Sequence, residues 1–159
     1  MQEVALGLSY DDKAMWGGDW FSGMQPAVTV ALEYEGQADF GTDRGIYAEL
    51  GVQPAFTVDL GADLPLTLAL PITLGCSLHD YFERSGRDDT FGFVDVGFAA
   101  SLPVRLRRPV GQGDSGLGRF GRWTVSAGVE LLFLGDNTQA INGGDEVEVI
   151  GSVALTCAF

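Results

Sequence analysis

Lysine occurs once in this 159-residue chain, at Lys13, histidine once, at His79, and cysteine twice, at Cys76 and Cys157. Each shortage excludes something. Nine Lys and Arg against 22 Asp and Glu leave a formal charge of −13 and no basic stripe, which rules against nucleic acid, whose phosphates are held by Lys and Arg. Two cysteines with neither CxxC spacing nor a clustered histidine build no disulfide framework and no zinc site, and no metal or cofactor is expected. Met1 is followed by Gln2-Glu3-Val4, without the basic start and apolar core of a secretory signal, so the sequence reads as one that has lost its leader and more, or as a fragment. The longest apolar stretch, residues 64–78, carries Pro65 and Pro71 and is interrupted at alternate places by Thr67, Ala69, Thr73, Gly75 and Ser77. A helix that spans a bilayer needs about 20 apolar residues without such breaks. No segment shows a convincing helical period either.

What the chain does carry is apolar weight without a charged coat. Hydrophobic residues make up 46% of it, glycines number 23 and mean hydropathy is +0.15, a set that few water-soluble domains combine because their outer faces need Lys and Glu. The apolar residues recur at every second position. Leu64, Leu66, Leu68, Leu70, Ile72, Leu74, Cys76 and Leu78 form one row against small and polar residues, as in a strand with one apolar face. Ile46, Ala48, Leu50, Val52, Pro54, Phe56, Val58 and Leu60 repeat it against Tyr47, Glu49, Gly51, Gln53, Ala55, Thr57 and Asp59. So do residues 93–104 and 123–133, shorter stretches at 4–10 and 28–34, and the end of the chain, 146–159. The expected fold class is all-β, with about seven long strands in an antiparallel up-and-down meander and one domain over residues 1–159. Asp-, Gly- and Asn-rich connections join them at 11–25, 36–44, 61–63, 82–89, 107–118 and 135–145.

Alternation alone does not say which face is covered, but the polar row does. A soluble barrel or sandwich turns charged residues outward; here that row is Gly, Ala, Ser and Thr with one or two acids per strand, suited to a crowded or watered lumen. The apolar row runs longer than the roughly 9–11 residues a tilted strand needs to cross a bilayer. Lipid on one face and a lumen on the other satisfy both facts, so the strands are read as part of a transmembrane β-barrel. A soluble lipocalin-like or sandwich domain that binds a sugar or lipid is the competing reading.

The last residues are more specific. Gly151-Ser152-Val153-Ala154-Leu155-Thr156-Cys157-Ala158-Phe159 resembles the terminal strand of bacterial outer-membrane β-barrel proteins, which ends on an aromatic residue with apolar residues at each second position before it. Within that class the chain is similar to uncharacterised porin-like proteins of Gram-negative outer membranes, through its Gln2-Glu3-Val4 strand start and its Tyr47-Ala48-Glu49-Leu50-Gly51 strand. The resemblance implies an outer-membrane location in contact with the lipid bilayer, no enzymatic activity, and recognition of Gly151, Val153, Leu155, Cys157 and Phe159 by the barrel-insertion machinery. The function expected is a passive, porin-like channel favouring cations or small polar solutes, with a non-conducting structural or surface-interaction barrel as the alternative. With Phe159 periplasmic, the connections at 36–44, 82–89 and 135–145 face outward. Bacterial barrels have even strand numbers and both termini inside, so about seven strands imply missing upstream strands and a complete barrel of about ten to twelve.

On the polar row stand Glu33, Glu49, Asp59, Asp95, Glu130, Glu146 and Glu148, countered by Arg105 and Arg122 near a membrane edge. Buried acids are costly, so this row implies either water or a cation beside them, or hydrogen bonds from Ser, Thr, Tyr and Arg. Ser77 and His79 lie two residues apart on it, a spacing that a nucleophile and its base can sometimes bridge, but a site acting on lipid should open toward the other face. The pair reads as rim residues. Gly111-Gln112-Gly113-Asp114-Ser115-Gly116 matches GxGxxG, yet a strand rather than a helix follows, so it reads as a turn. Asp136, Asn137, Asn142, Asp145 and Glu146 offer oxygens suited to calcium without the ordered spacing of a calcium loop, and read as solvated. Tyr81, Phe82 and Phe91 at one edge and Phe120, Trp123 and Phe159 at the other resemble interface girdles. Trp16, Trp20 and Phe21 are available as a further anchor. Cys76 and Cys157 face outward three strands apart, on the order of 14 Å, too far for a bridge.

Overall fold

Period-two alternation makes the strands, and proline decides where two of them break. The computed structural model describes residues 2–35, 44–61, 64–104 and 122–158. Its strands are β1 (Gln2–Ser9), β2 (Ala27–Glu35), β3 (Ile46–Val52), β4 (Ala55–Asp59), β5 (Pro65–Ala69), β6 (Ile72–His79), β7 (Glu83–Arg84), β8 (Arg87–Asp88), β9 (Phe91–Val104), β10 (Arg122–Leu134) and β11 (Val147–Ala158). Short helices α1 (Lys13–Trp16) and α2 (Asp136–Ile141) lie in the connections after β1 and β10. One antiparallel sheet runs β1-β2-β3-β6-β9-β10-β11, so spatial order follows chain order as a meander requires, and it is curled into a half-barrel.

The strand count differs from the seven expected. Val52 pairs with Ile72 and Ala55 with Ala69, so the register between the third and fourth lines passes unchanged through an interruption at residues 53–54 and 70–71. Pro54 and Pro71 face each other's strand there, and neither has an N–H to give the ladder. Their carbonyls still accept, Pro54 from Leu70 N–H at 2.9 Å and Pro71 from Gly97 N–H at 2.7 Å. Two continuous lines are thus counted as β3 and β4, and as β5 and β6. The connection after β6 adds the rest: it folds into the small hairpin β7–β8, with Ser85 and Gly86 both at positive φ (54° and 76°), the backbone a tight two-residue hairpin turn demands.

Packing follows the polar row, not the apolar one. On β2, Glu33 is 0% exposed and Ala31 2%, whereas their neighbours Leu32 and Val30 are 45% and 41% exposed. On β10, Val125, Val129, Leu131 and Phe133 stand open while Ser126, Gly128 and Glu130 are partly covered. The covered row lines the concave face of the curl, and the convex face is apolar throughout. β1 and β11 are the two edges and, with five lines between them, run in the same direction. Cys76 on β6 and Cys157 on β11 are three lines apart and both are free thiols.

Candidate functional site

The register brings the acids expected in a lumen to one face. Glu33 lies opposite Glu3, Glu49 between Thr29 and Gly75, Asp95 between Thr73 and Leu132, Glu130 between Gly97 and Ile150, and Glu148 opposite Leu132. Asp59, opposite Pro65 at the far end of β4, is exposed and accepts the Gly61 N–H at 2.8 Å. They share a face but not a pocket: among the described residues no three His, Cys, Asp or Glu come close enough to hold a metal ion. Glu148 accepts a hydrogen bond from the Asn142 amide at 2.6 Å, and Glu49 accepts one from the Tyr47 hydroxyl. One oxygen of Asp95 is buried without a hydrogen-bond partner. Arg122 stands at the start of β10 opposite Ala158, while Arg105 lies outside the described residues.

One mouth of this face is filled by aromatic rings. The turn after β6 bends inward at Asp80 (φ 42°) and drops Tyr81 and Phe82 onto Tyr47 of β3. Tyr81 stacks on Tyr47 with centroids 4.7 Å apart, Phe82 meets Tyr47 edge-on at 5.8 Å, and Phe93 of β9 flanks Tyr47 at 6.4 Å. Glycines make the seats. A Cβ on Gly45 would lie 2.8 Å from the Tyr81 Cα, one on Gly92 would lie 2.0 Å from the Phe82 Cε2, and one on Gly75 would lie 2.4 Å from the Phe93 Cε1. The Tyr81 hydroxyl reaches across to donate to Glu3 of β1 at 3.1 Å. Burial, then the charge of Glu3 and its hydrogen bond, with Glu33 and Glu49 beyond, hold the Tyr81 phenol well above its ordinary range, so it remains a donor to that carboxylate. The girdle expected from Tyr81 and Phe82 is therefore corrected: both rings point to the concave side, because Gly45 and Gly92 leave them room. Phe91 stays exposed, and Phe120 and Phe159 lie outside the described residues.

The opposite end carries a second aromatic group, on the convex side. Residues 20–25 continue the line of β2 beside β4: Thr57 N–H donates to Trp20 O at 2.7 Å, Ser22 N–H to Ala55 O at 2.9 Å and Gln53 N–H to Met24 O at 2.8 Å. Phe21 and Phe56 stack at 5.1 Å, Trp20 covers Phe56 at 5.9 Å and Trp16 meets Phe21 edge-on at 5.5 Å. Asp12 ties the segment together, accepting the Trp16 indole N–H at 2.7 Å and the backbone N–H of Met24 and Gln25 at 3.1 and 2.9 Å. Desolvation alone would raise the Asp12 carboxyl, but the bonds from Gln25, Trp16 and Met24 outweigh it and hold it below the ordinary carboxylate range. Its contribution is then complete above the unfolded value of about 3.9 and is lost as pH falls through the lower folded value. Near-UV circular dichroism of the packed rings should accordingly collapse only in acid for the native chain and be weakened already at neutral pH in Asp12→Asn. An unchanged spectrum in that variant would remove Asp12 from this role.

Other motifs separate. Ser77 donates to Asp88 at 2.9 Å and accepts the Tyr81 N–H at 3.0 Å, while His79 turns to Asp80, its Nδ1 3.3 Å from the carboxylate, so Ser77 and His79 do not meet. Asn137 of the acidic connection donates to two backbone carbonyls rather than to solvent, Phe82 O at 2.7 Å and Arg87 O at 2.8 Å. The GxGxxG match at 111–116 lies outside the described residues. Of the terminal-strand residues, Gly151, Val153, Leu155 and Cys157 share the convex face of β11, and Phe159 lies outside the described residues. Sequence reasoning missed Glu3 and Asp12; their signals were a place on the polar row for Glu3 and a Trp four residues on for Asp12. No family model, curated protein or solved structure matches the chain.

Proposed function

We propose that the chain forms part of a transmembrane β-barrel of a bacterial outer membrane, with lipid on the convex face and an acidic, cation-favouring lumen on the concave face, working as a porin-like passive channel. One observation carries this: on β2, an inner line of the sheet, the Glu33 carboxylate is fully covered while Leu32 beside it is 45% exposed. A water-soluble sheet would invert that order, since apolar area left in water forgoes roughly 25 cal/mol per Å². The convex rows of the described strands hold no charged side chain, and among the described residues no second sheet covers them as in a sandwich. Both edges run the same way, so antiparallel closure takes an odd number of further strands. The convex row of Gly151, Val153 and Leu155, exposed, and Cys157, half-buried, suits the proposed reading of this strand by the insertion machinery. The aromatic fill at one mouth favours a second reading, a barrel that conducts nothing.

The protein should require detergent or lipid to remain monodisperse, and its gel migration should change on heating as a detergent-resistant barrel unfolds. A stable monomer in plain buffer, measured by light scattering, would rule the membrane reading out.

A further inference from the structure

We infer that the turn at residues 80–90 is a built-in strap that holds one mouth of the lumen shut, with the Asn137 side chain as its latch. The inference rests on the concave face being a lumen. Position is the first argument. The turn leaves β6, yet its Tyr81 hydroxyl bonds to Glu3 on β1, a residue 78 positions away in sequence, so the turn crosses over β3 and β2 along the concave side. A connection that merely joined β6 to β9 would have no reason to reach the far edge.

The seat is the second argument. Three positions where the rings rest, Gly45, Gly75 and Gly92, cannot carry a Cβ without moving Tyr81, Phe93 or Phe82. Attachment is the third. Ser77 holds the strap at both its ends, through the Tyr81 N–H and the Asp88 carboxylate. Asn137, from the separate connection after β10, bonds Phe82 O and Arg87 O on either side of the β7–β8 hairpin. One amide thus bridges two separate connections, and its release loosens the hairpin while the Ser77 and Tyr81 bonds stay in place. The strap is itself net acidic, with Asp80, Glu83, Asp88 and Asp89 against the exposed Arg84 and Arg87, so it closes the mouth with its rings and not with its charge.

The test uses the chain with Cys76→Ser and Cys157→Ser, to which Ser77→Cys and Asp88→Cys are added, since the native oxygens at these two positions are 2.9 Å apart. A short bis-thiosulfonate linker should join the two thiols, read as a mass increase that dithiothreitol reverses. In planar bilayers with KCl, Asn137→Ala should raise the open fraction by about tenfold, the change expected when two ordinary hydrogen bonds are lost from one side of an equilibrium. Linking the thiols in the Asn137→Ala background should return conductance to the native floor, and reduction should release it again. Failure of the linker to join the thiols in a protein that still shows heat-modifiable migration would overturn the strap. So would joined thiols with the same conductance, including none, in linked, reduced and Asn137→Ala forms. Loss of the barrel reading shows separately, as a monomer stable without lipid.

Discussion

Val129→Arg is expected to destabilise the lipid-embedded protein by about 2–4 kcal/mol, the cost of an arginine near the middle of a lipid-facing strand. Val129 lies midway along β10, on the convex face and 42% exposed, with Phe98 and Gly151 as its cross-strand partners. In a water-soluble sheet the same exposure makes the change harmless, within about 0.5 kcal/mol, because a surface arginine is simply hydrated. The substitution therefore separates solvents rather than folds. Val147→Arg is the companion: it stands on the same face at the start of β11, near the expected interface, where the cost falls to about 0–1 kcal/mol. Guanidinium unfolding in phospholipid vesicles measures both. Equal, near-zero effects at the two depths would mean that water, not lipid, covers the convex face.

Side-chain parity was legible because it is a local property. Each residue of a strand faces away from its neighbours, so the row holding Leu32 and the row holding Glu33 could be told apart without knowing any partner, and the register puts Glu33 and Glu49 on one face. Strand interruption was partly legible: Pro54 and Pro71 were visible, but only the register showed that they lie on facing strands and break both lines at one level. The strap was not legible. Tyr81 and Phe82 follow a strand end, where interface aromatics belong, and nothing within the turn says that Glu3, Tyr47 and Asn137 will receive it. Those contacts span 78, 34 and 55 positions and exist only once the sheet has curled. Gly75 was read with the small residues that fit a crowded or watered lumen, and nothing local marked it or Gly92 as a seat for a ring. Asp12 was hidden for a related reason, as two of its three donors come from residues 12 and 13 positions on, beyond any helical or turn spacing.

Selectivity should follow the acids in the middle stretch of the concave face. Glu49 on β3 and Glu130 on β10 lie on the concave face away from strand ends, Glu49 bonded by Tyr47 and Glu130 facing Gly97, where the absent side chain leaves the carboxylate stem within 3.2 Å of a Cβ position. Carboxylates along a narrow passage raise the local concentration of cations and exclude anions, and two such groups on facing parts of a curled sheet act on the same ions. Under a KCl gradient in planar bilayers, the reversal potential should be displaced toward the potassium equilibrium value. Glu49→Gln with Glu130→Gln keeps shape and hydrogen bonding while removing two charges, and should move that potential most of the way to zero. The effect should also fade with salt, as the screening length shortens from about 10 Å at 0.1 M to about 3 Å at 1 M. Recording in both the native chain and Asn137→Ala keeps the outcome independent of how often the mouth opens, because a reversal potential reports which ions pass and not how many. A potential that ignores both substitutions would place the selective constriction elsewhere, and anion preference in the native chain would mean that the acidic row does not line the passage.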